Sequence, residues 1–99
     1  MATRSCIKVE GITFAKVYKH WDGRPENMLP WLETFNDEFT KARGVDPDYK
    51  FAQLLRSSTE ERFGLDDSKC TGYGVVPYDE NCGEDFVYVL NNDGTVTIE

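Results

Sequence analysis

The sequence predicts an α+β fold with the element order ββααβββ, in which an antiparallel sheet has two helices packed on one face. Two observations predict the elements. Residues 6–20 and 72–98 are rich in β-branched and aromatic residues, whereas residues 28–57 place apolar residues at helical spacing. A third observation predicts their arrangement, because strands grouped before and after two consecutive helices are typical of an antiparallel sheet covered on one side.

The first strand pair is predicted within residues 6–20. Ile7 and Val9 alternate with charged residues, and a second run of β-branched and aromatic residues extends from Ile12 to Lys19. Gly11 separates the two runs, so a short hairpin with its turn at this glycine is expected.

The alternation also assigns sides to the residues that follow the second strand. Trp21 has the same parity as Ala15 and Val17, which predicts that its indole is part of the core. His20 has the opposite parity and is expected to be exposed.

The first helix is predicted to begin within Asn27–Leu29 and to end at Gly44. Pro30 is expected in its first turn, where a missing N–H costs nothing, and glycine is the usual residue after a helix end. The predicted apolar stripe consists of Met28, Leu32, Phe35, Phe39 and Ala42.

The second helix is predicted to follow directly. Asp46 is the expected cap and Pro47 the first helical residue, and the helix should end near Ser57–Ser58. Residues 59–71 are expected to form a partly helical connection.

The last third of the chain is predicted to be β-structure, with strands at Gly72–Tyr78, Phe86–Leu90 and Thr95–Ile98. The Asn-Asn-Asp-Gly sequence at 91–94 predicts a tight hairpin turn, because these residues tolerate positive φ. Residues 79–85 have oxygen-bearing side chains at alternate positions but lack the pattern of an EF-hand, so a solvated acidic loop is expected.

Composition limits the classes of function. The length of 99 residues predicts a single domain, residues 1–99. The chain has 18 acidic and 11 basic residues and a net charge of −7. A clustered basic face is missing, so nucleic acid is not an expected partner. The sequence contains no long apolar run and its start is unlike a signal peptide, which predicts a soluble, cytoplasmic protein. We expect it to be a monomer or a weak homo-oligomer.

The cysteines are predicted to be reduced thiols. Cys6, Cys70 and Cys82 are an odd number without a C-x-x-C pair. A zinc site would need all three together with His20, and close ligand spacing is missing, so no metal and no cofactor are expected. A nucleophilic cysteine with His20 as base lacks a recognisable electropositive setting.

The most distinctive stretch runs from Tyr18 to Pro25. It places an imidazole, an indole, a carboxylate and a guanidinium at one strand end, where binding groups commonly lie on a rigid scaffold. The candidate binding residues are Tyr18, His20, Trp21, Asp22 and Arg24. The alternative is a structural turn, in which Asp-Gly supplies the bend and the arginine pairs with a surface carboxylate.

Val17–Glu26 contains the pattern Tyr-x-His-Trp-Asp-Gly-x-Pro, followed by an amphipathic helix and, near the end of the chain, an aromatic strand with an Asn-Asp-Gly turn. In these features the chain resembles a family of small uncharacterised proteins of bacteria, archaea and phages that share this signature. The resemblance supports the α+β fold and implies no activity.

Three hypotheses of function remain open. The first is a non-enzymatic binding or adaptor module that contacts a protein partner through the turn from His20 to Pro25. The second is a small enzyme with His20 as general acid or base, and the third is an acidic inhibitor that mimics nucleic acid. The enzyme hypothesis requires a concave polar site of about 300 Å³ or more beside His20.

Overall fold

The computed structural model describes residues 3–60 and 72–99. This part of the chain forms an α+β fold with five strands and two helices, which confirms the predicted fold class. The elements are β1 (Ser5–Val9), β2 (Ala15–Lys19), α1 (Pro25–Arg43), α2 (Pro47–Glu60), β3 (Tyr73–Pro77), β4 (Phe86–Leu90) and β5 (Val96–Ile98). No helix of the described residues has the length and apolar character needed to cross a membrane.

The strands form one mixed sheet in the order β3-β2-β1-β4-β5. β1 pairs antiparallel with β2 and parallel with β4, in a register that places Cys6 opposite both Tyr18 and Val87. The prediction of a purely antiparallel sheet was therefore wrong. The prediction failed because residue alternation specifies which residues share a face but does not specify which strand becomes the neighbour.

The parallel pairing results from the connection between β3 and β4, residues 78–85, which we call the crossover. It passes over the sheet face that the helices leave open: the Lys8 ammonium lies 4.7 Å from the centre of the Tyr78 ring, and Lys16 Nζ donates to the Glu80 carbonyl at 2.7 Å. The expected acidic loop is exposed over most of its length, and it also covers part of this sheet face.

The apolar core lies on the opposite face of the sheet. The strand residues at its centre are fully or almost fully buried, and residues from both helices pack against them, so both helices cover this one face. The buried cluster consists of Ile7, Val9, Ile12, Val17, Met28, Leu32, Leu54, Tyr88 and Leu90.

α1 begins earlier than predicted, because Pro25 occupies its first turn. Pro30 consequently lies inside the helix, and the expectation that it belongs to the first turn was wrong. The end of α1 is confirmed: the Gly44 N–H donates to the Thr40 carbonyl at 2.8 Å, with Gly44 at a φ of 70°.

α2 has the predicted cap, since the Tyr49 N–H donates to Asp46 Oδ1 at 3.4 Å. It continues to Glu60, beyond the predicted end at Ser57–Ser58. The remainder of the predicted connection, residues 61–71, and Cys70 with it, lie outside the described residues.

Trp21 is 43% exposed, so the prediction that it belongs to the core was wrong. β2 ends at Lys19, and the alternation of sides therefore stops before it reaches the indole. The ring instead packs edge-on against His20, with centroids 4.8 Å apart, and lies next to Gly72.

Candidate functional site

The stretch that follows β2 is held in place by hydrogen bonds to three other segments. The His20 N–H donates to the Gly72 carbonyl at 2.7 Å, and the Gly23 N–H donates to the Thr3 carbonyl at 2.9 Å. The Tyr88 hydroxyl, from the core, donates to the Gly23 carbonyl at 2.6 Å. The turn is thus fixed to the sheet.

The Asp-Gly pair is required by this geometry. Asp22 has a φ of 57°, a left-handed conformation that aspartate and asparagine tolerate better than most residues. A Cβ on Gly23 would approach Ser5 and the Thr3 carbonyl to 2.8 Å. Any larger residue at position 23 would therefore push the turn away from β1.

Tyr18 and His20 lie together on the sheet face opposite the helices. The Tyr18 hydroxyl and His20 Nδ1 are 2.8 Å apart and share a hydrogen bond, which orients the imidazole. Arg24 is exposed and precedes the first residue of α1. Tyr18 and His20 therefore lie on one sheet face, whereas Arg24 lies at the start of α1.

A pocket of about 380 Å³ opens between the end of β2 and the first turns of α1. Its wall combines an ammonium, a carboxylate and an amide with an indole and a thioether. The lining residues are Lys19, Asp22, Asn27, Met28 and Trp31. Of the predicted site residues only Asp22 takes part, and His20 is not in the lining.

The other four lining residues are not among the binding residues predicted from the sequence. Lys19 continues the strand alternation towards the helix side, opposite to His20, and Asn27 and Trp31 are one helical turn apart on α1. Those spacings were visible in the sequence. The sequence does not show the angle at which α1 leaves the turn, and this angle creates the pocket.

Two further depressions continue from Trp31 along α1. The first, about 500 Å³, is lined by Pro30, Trp31, Thr34, Phe35, Glu38 and Ser57. The second, about 370 Å³, shares Phe35 and Glu38 with the first and reaches Arg43 and Tyr49. We call the pocket and the two depressions together the α1 groove.

A cluster of two thiols and a carboxylate lies between β1 and the crossover. The ligand atoms of Cys6, Cys82 and Glu84 all lie within 4.8 Å of one another. The thiol of Cys6 is 3.6 Å from Glu84 Oε1, and the Cys82 N–H donates to the same oxygen at 3.1 Å. Cys6 is fully buried, and both cysteines are free thiols.

The environment of this cluster shifts the acidities of its members. Burial raises the pKa of Cys6 to about 12, against the opposing effect of the nearby Lys16 ammonium. Burial also disfavours the ionised form of Glu84, but hydrogen bonds from the N–H groups of Cys82 and Glu84 outweigh it and lower the Glu84 pKa. The cluster therefore holds one carboxylate beside neutral thiols.

Comparisons with known proteins found no match: no family model, no curated protein and no solved structure is significantly similar to this chain. The family resemblance of Val17–Glu26 therefore stays a prediction.

Proposed function

We propose that this chain is a non-enzymatic binding module whose α1 groove holds an extended, basic segment of a protein partner. The observation that carries the proposal is the continuity of the groove, whose neighbouring parts share residues with one another. From Asn27 to Arg43 the helix advances about 24 Å, at 1.5 Å per residue. An extended peptide covers that length with about seven residues.

Charge favours a basic segment. The net charge of −7 attracts a positively charged partner at long range. Within the groove, the carboxylates of Asp22 and Glu38 are available to lysine or arginine, and the Trp31 indole can accept a cation over its face. The Lys19 ammonium lies over the Tyr73 ring at the wall of the groove, 4.2 Å from the ring centre.

The position of His20 supports binding over catalysis at this pocket. The pocket exceeds the size that the enzyme hypothesis requires, but its lining includes Lys19 from the helix side of the strand instead of His20. An imidazole outside the lining cannot exchange a proton with a ligand held there, since proton transfer needs hydrogen-bond reach.

The test is a titration of the ¹⁵N-labelled protein with three peptides of equal length: oligo-arginine, oligo-lysine and oligo-glutamate. The expected result is binding of the basic peptides, with the largest shifts at the indole N–H of Trp31 and the amides of Asp22 and Asn27. Oligo-glutamate should leave these signals unchanged.

Asp22→Asn and Asp37→Asn form a matched pair, because each removes one negative charge and asparagine also tolerates the backbone at position 22. Asp37 is exposed on α1, outside the groove lining, and pairs with Lys41. Asp22→Asn should raise Kd by about tenfold, the effect of losing one charge-assisted hydrogen bond, and Asp37→Asn should have a much smaller effect. Equal effects of the two variants would show attraction by net charge only and would refute the groove.

A further inference from the structure

The crossover brings three metal-binding groups to one point of the open sheet face. Cys6 belongs to β1, whereas Cys82 and Glu84 belong to the crossover, and their ligand atoms converge within 4.8 Å. Tetrahedral zinc, with Zn–S of about 2.3 Å and Zn–O of about 2.1 Å, requires sulfur and oxygen ligands about 3.6 Å apart. The observed separation of Cys6 Sγ and Glu84 Oε1 is 3.6 Å.

We propose that Cys6, Cys82 and Glu84 bind a thiophilic divalent cation, Zn²⁺, and that the ion ties the crossover to β1. Three protein ligands leave the fourth tetrahedral position to a water molecule. The Cys82 N–H holds the Glu84 carboxylate in place from the side, which is the kind of supporting hydrogen bond that metal ligands commonly have.

Charge balance explains how the sheet face can hold the ion. Before binding, the negative Glu84 and the positive Lys16 offset each other beside two neutral thiols. On binding, two Zn–S bonds form, both thiol protons leave to solvent, and the two new thiolate charges neutralise the ion. The sum over these groups is zero in both states, and the Glu80 carboxylate, whose Oε2 lies 3.6 Å from Cys82 Sγ, adds one negative charge to each state. Lys16 is buried to 4% exposure and donates to the Glu80 carbonyl at 2.7 Å.

This site lies far outside any sequence pattern for zinc. Structural zinc ligands usually come in close pairs, whereas Cys6 and Cys82 are joined only by the parallel pairing of β1 with β4 and the path of the crossover. The sequence shows the alternating oxygen-bearing residues at 79–85, but it does not show that Cys6 in β1 lies next to them.

The test uses the metal-free, reduced full chain titrated with Co²⁺. This ion reports on zinc sites because its thiolate complexes absorb near-ultraviolet and visible light, where those of Zn²⁺ are transparent. We expect one Co²⁺ per chain with a thiolate charge-transfer band, and displacement of Co²⁺ by Zn²⁺. Cys82→Ser should abolish the band. This variant is preferred because Cys82 is only half-buried, and circular dichroism checks that it folds.

Two matched pairs separate the proposed ligands from other residues of similar chemistry. Cys70→Ser should keep the band that Cys82→Ser loses, and Asp79→Asn should keep the affinity that Glu84→Gln lowers by at least about tenfold. Zn²⁺ should also raise the Tm of the wild type and of Cys70→Ser but not of Cys82→Ser. Absence of a charge-transfer band in the wild type, its persistence in Cys82→Ser, or its loss in Cys70→Ser would overturn the site.

Discussion

The hydroxyl of Tyr88 donates a hydrogen bond to the carbonyl of Gly23 at 2.6 Å. Tyr88 is fully buried in the centre of β4, and Gly23 belongs to the turn that forms one side of the α1 groove. One side chain thus connects the core to the proposed binding site. The hydrogen bond fixes the height of the turn above the sheet and hence the place where α1 begins.

Tyr88→Phe should lower the free energy of unfolding by about 1–3 kcal/mol, because it leaves the Gly23 carbonyl without this donor in a buried setting. Urea denaturation measures the effect. Tyr49→Phe is the control, since Tyr49 is 43% exposed and its change should stay within about 0.5 kcal/mol. Equal effects of the two variants would show that the hydrogen bond does not stabilise the fold.

The same tyrosine predicts a loss of stability at alkaline pH. Burial, with the negative charge of Glu26, raises the pKa of Tyr88 from 10.0 to about 12. Between these values the folded protein keeps a proton on Tyr88 that the unfolded chain has released. The contribution of this proton to the free energy of unfolding is therefore fully present below pH 10. It is lost as the pH rises, by up to about 1.4 kcal/mol per pH unit. Urea unfolding on both sides of pH 10 should show this slope.

Tyr88→Phe is the control for the alkaline slope, because phenylalanine does not titrate. The Cys6 thiol, whose pKa is also raised to about 12, contributes equally in both proteins and cancels in the difference. Identical slopes above pH 10 in the wild type and in Tyr88→Phe would contradict the assignment.

The elements that sequence predicted well are those whose information is local. Gly11 and Gly94 both have positive φ in the two hairpin turns. The sequence predicts the first turn because Gly11 interrupts the strand pattern, and the second because Asn, Asp and Gly tolerate positive φ. The pairing of β1 with β4 has no such local signal, because it depends on the path of the crossover over the sheet. Local pattern therefore specified the elements, and tertiary packing specified the neighbours.

The candidate site shows the same division. Sequence singled out the stretch that contains Asp22, and Asp22 does lie in the pocket wall. It did not find Trp31, which joins the parts of the groove, because an indole on an amphipathic helix looks the same whether it faces a core or a groove. Which one it faces depends on how α1 lies on the sheet.

Asn36 predicts a second buried polar contribution to stability. It is fully buried on α1, and its Nδ2 donates to the carbonyls of Asn91 at 3.0 Å and Thr95 at 2.8 Å, which docks the β4–β5 turn on the helix. Asn36→Ala should cost about 1–3 kcal/mol, a moderate value because the Asn91 carbonyl keeps Lys50 as a donor.

Asn27→Ala is the matched control, with the same substitution at an exposed position of the same helix. Its effect in chemical denaturation should remain within about 0.5 kcal/mol. If Asn36→Ala is as mild as Asn27→Ala, the docking of the turn depends on backbone and apolar contacts instead of the amide.

Trp21→Ala should be a mild change, although a tryptophan that follows a strand was expected to be core. Truncating a buried tryptophan costs about 3–5 kcal/mol, but this indole is 43% exposed and packs on His20 and Gly72 at the end of the sheet. We therefore expect a loss of about 1–2 kcal/mol, in proportion to the area that is covered. Leu32→Ala, at a fully buried position, is the comparison and should cost about 2–5 kcal/mol in the same denaturation experiment. A loss for Trp21→Ala as large as that for Leu32→Ala would restore the assignment of the indole to the core that strand alternation predicted.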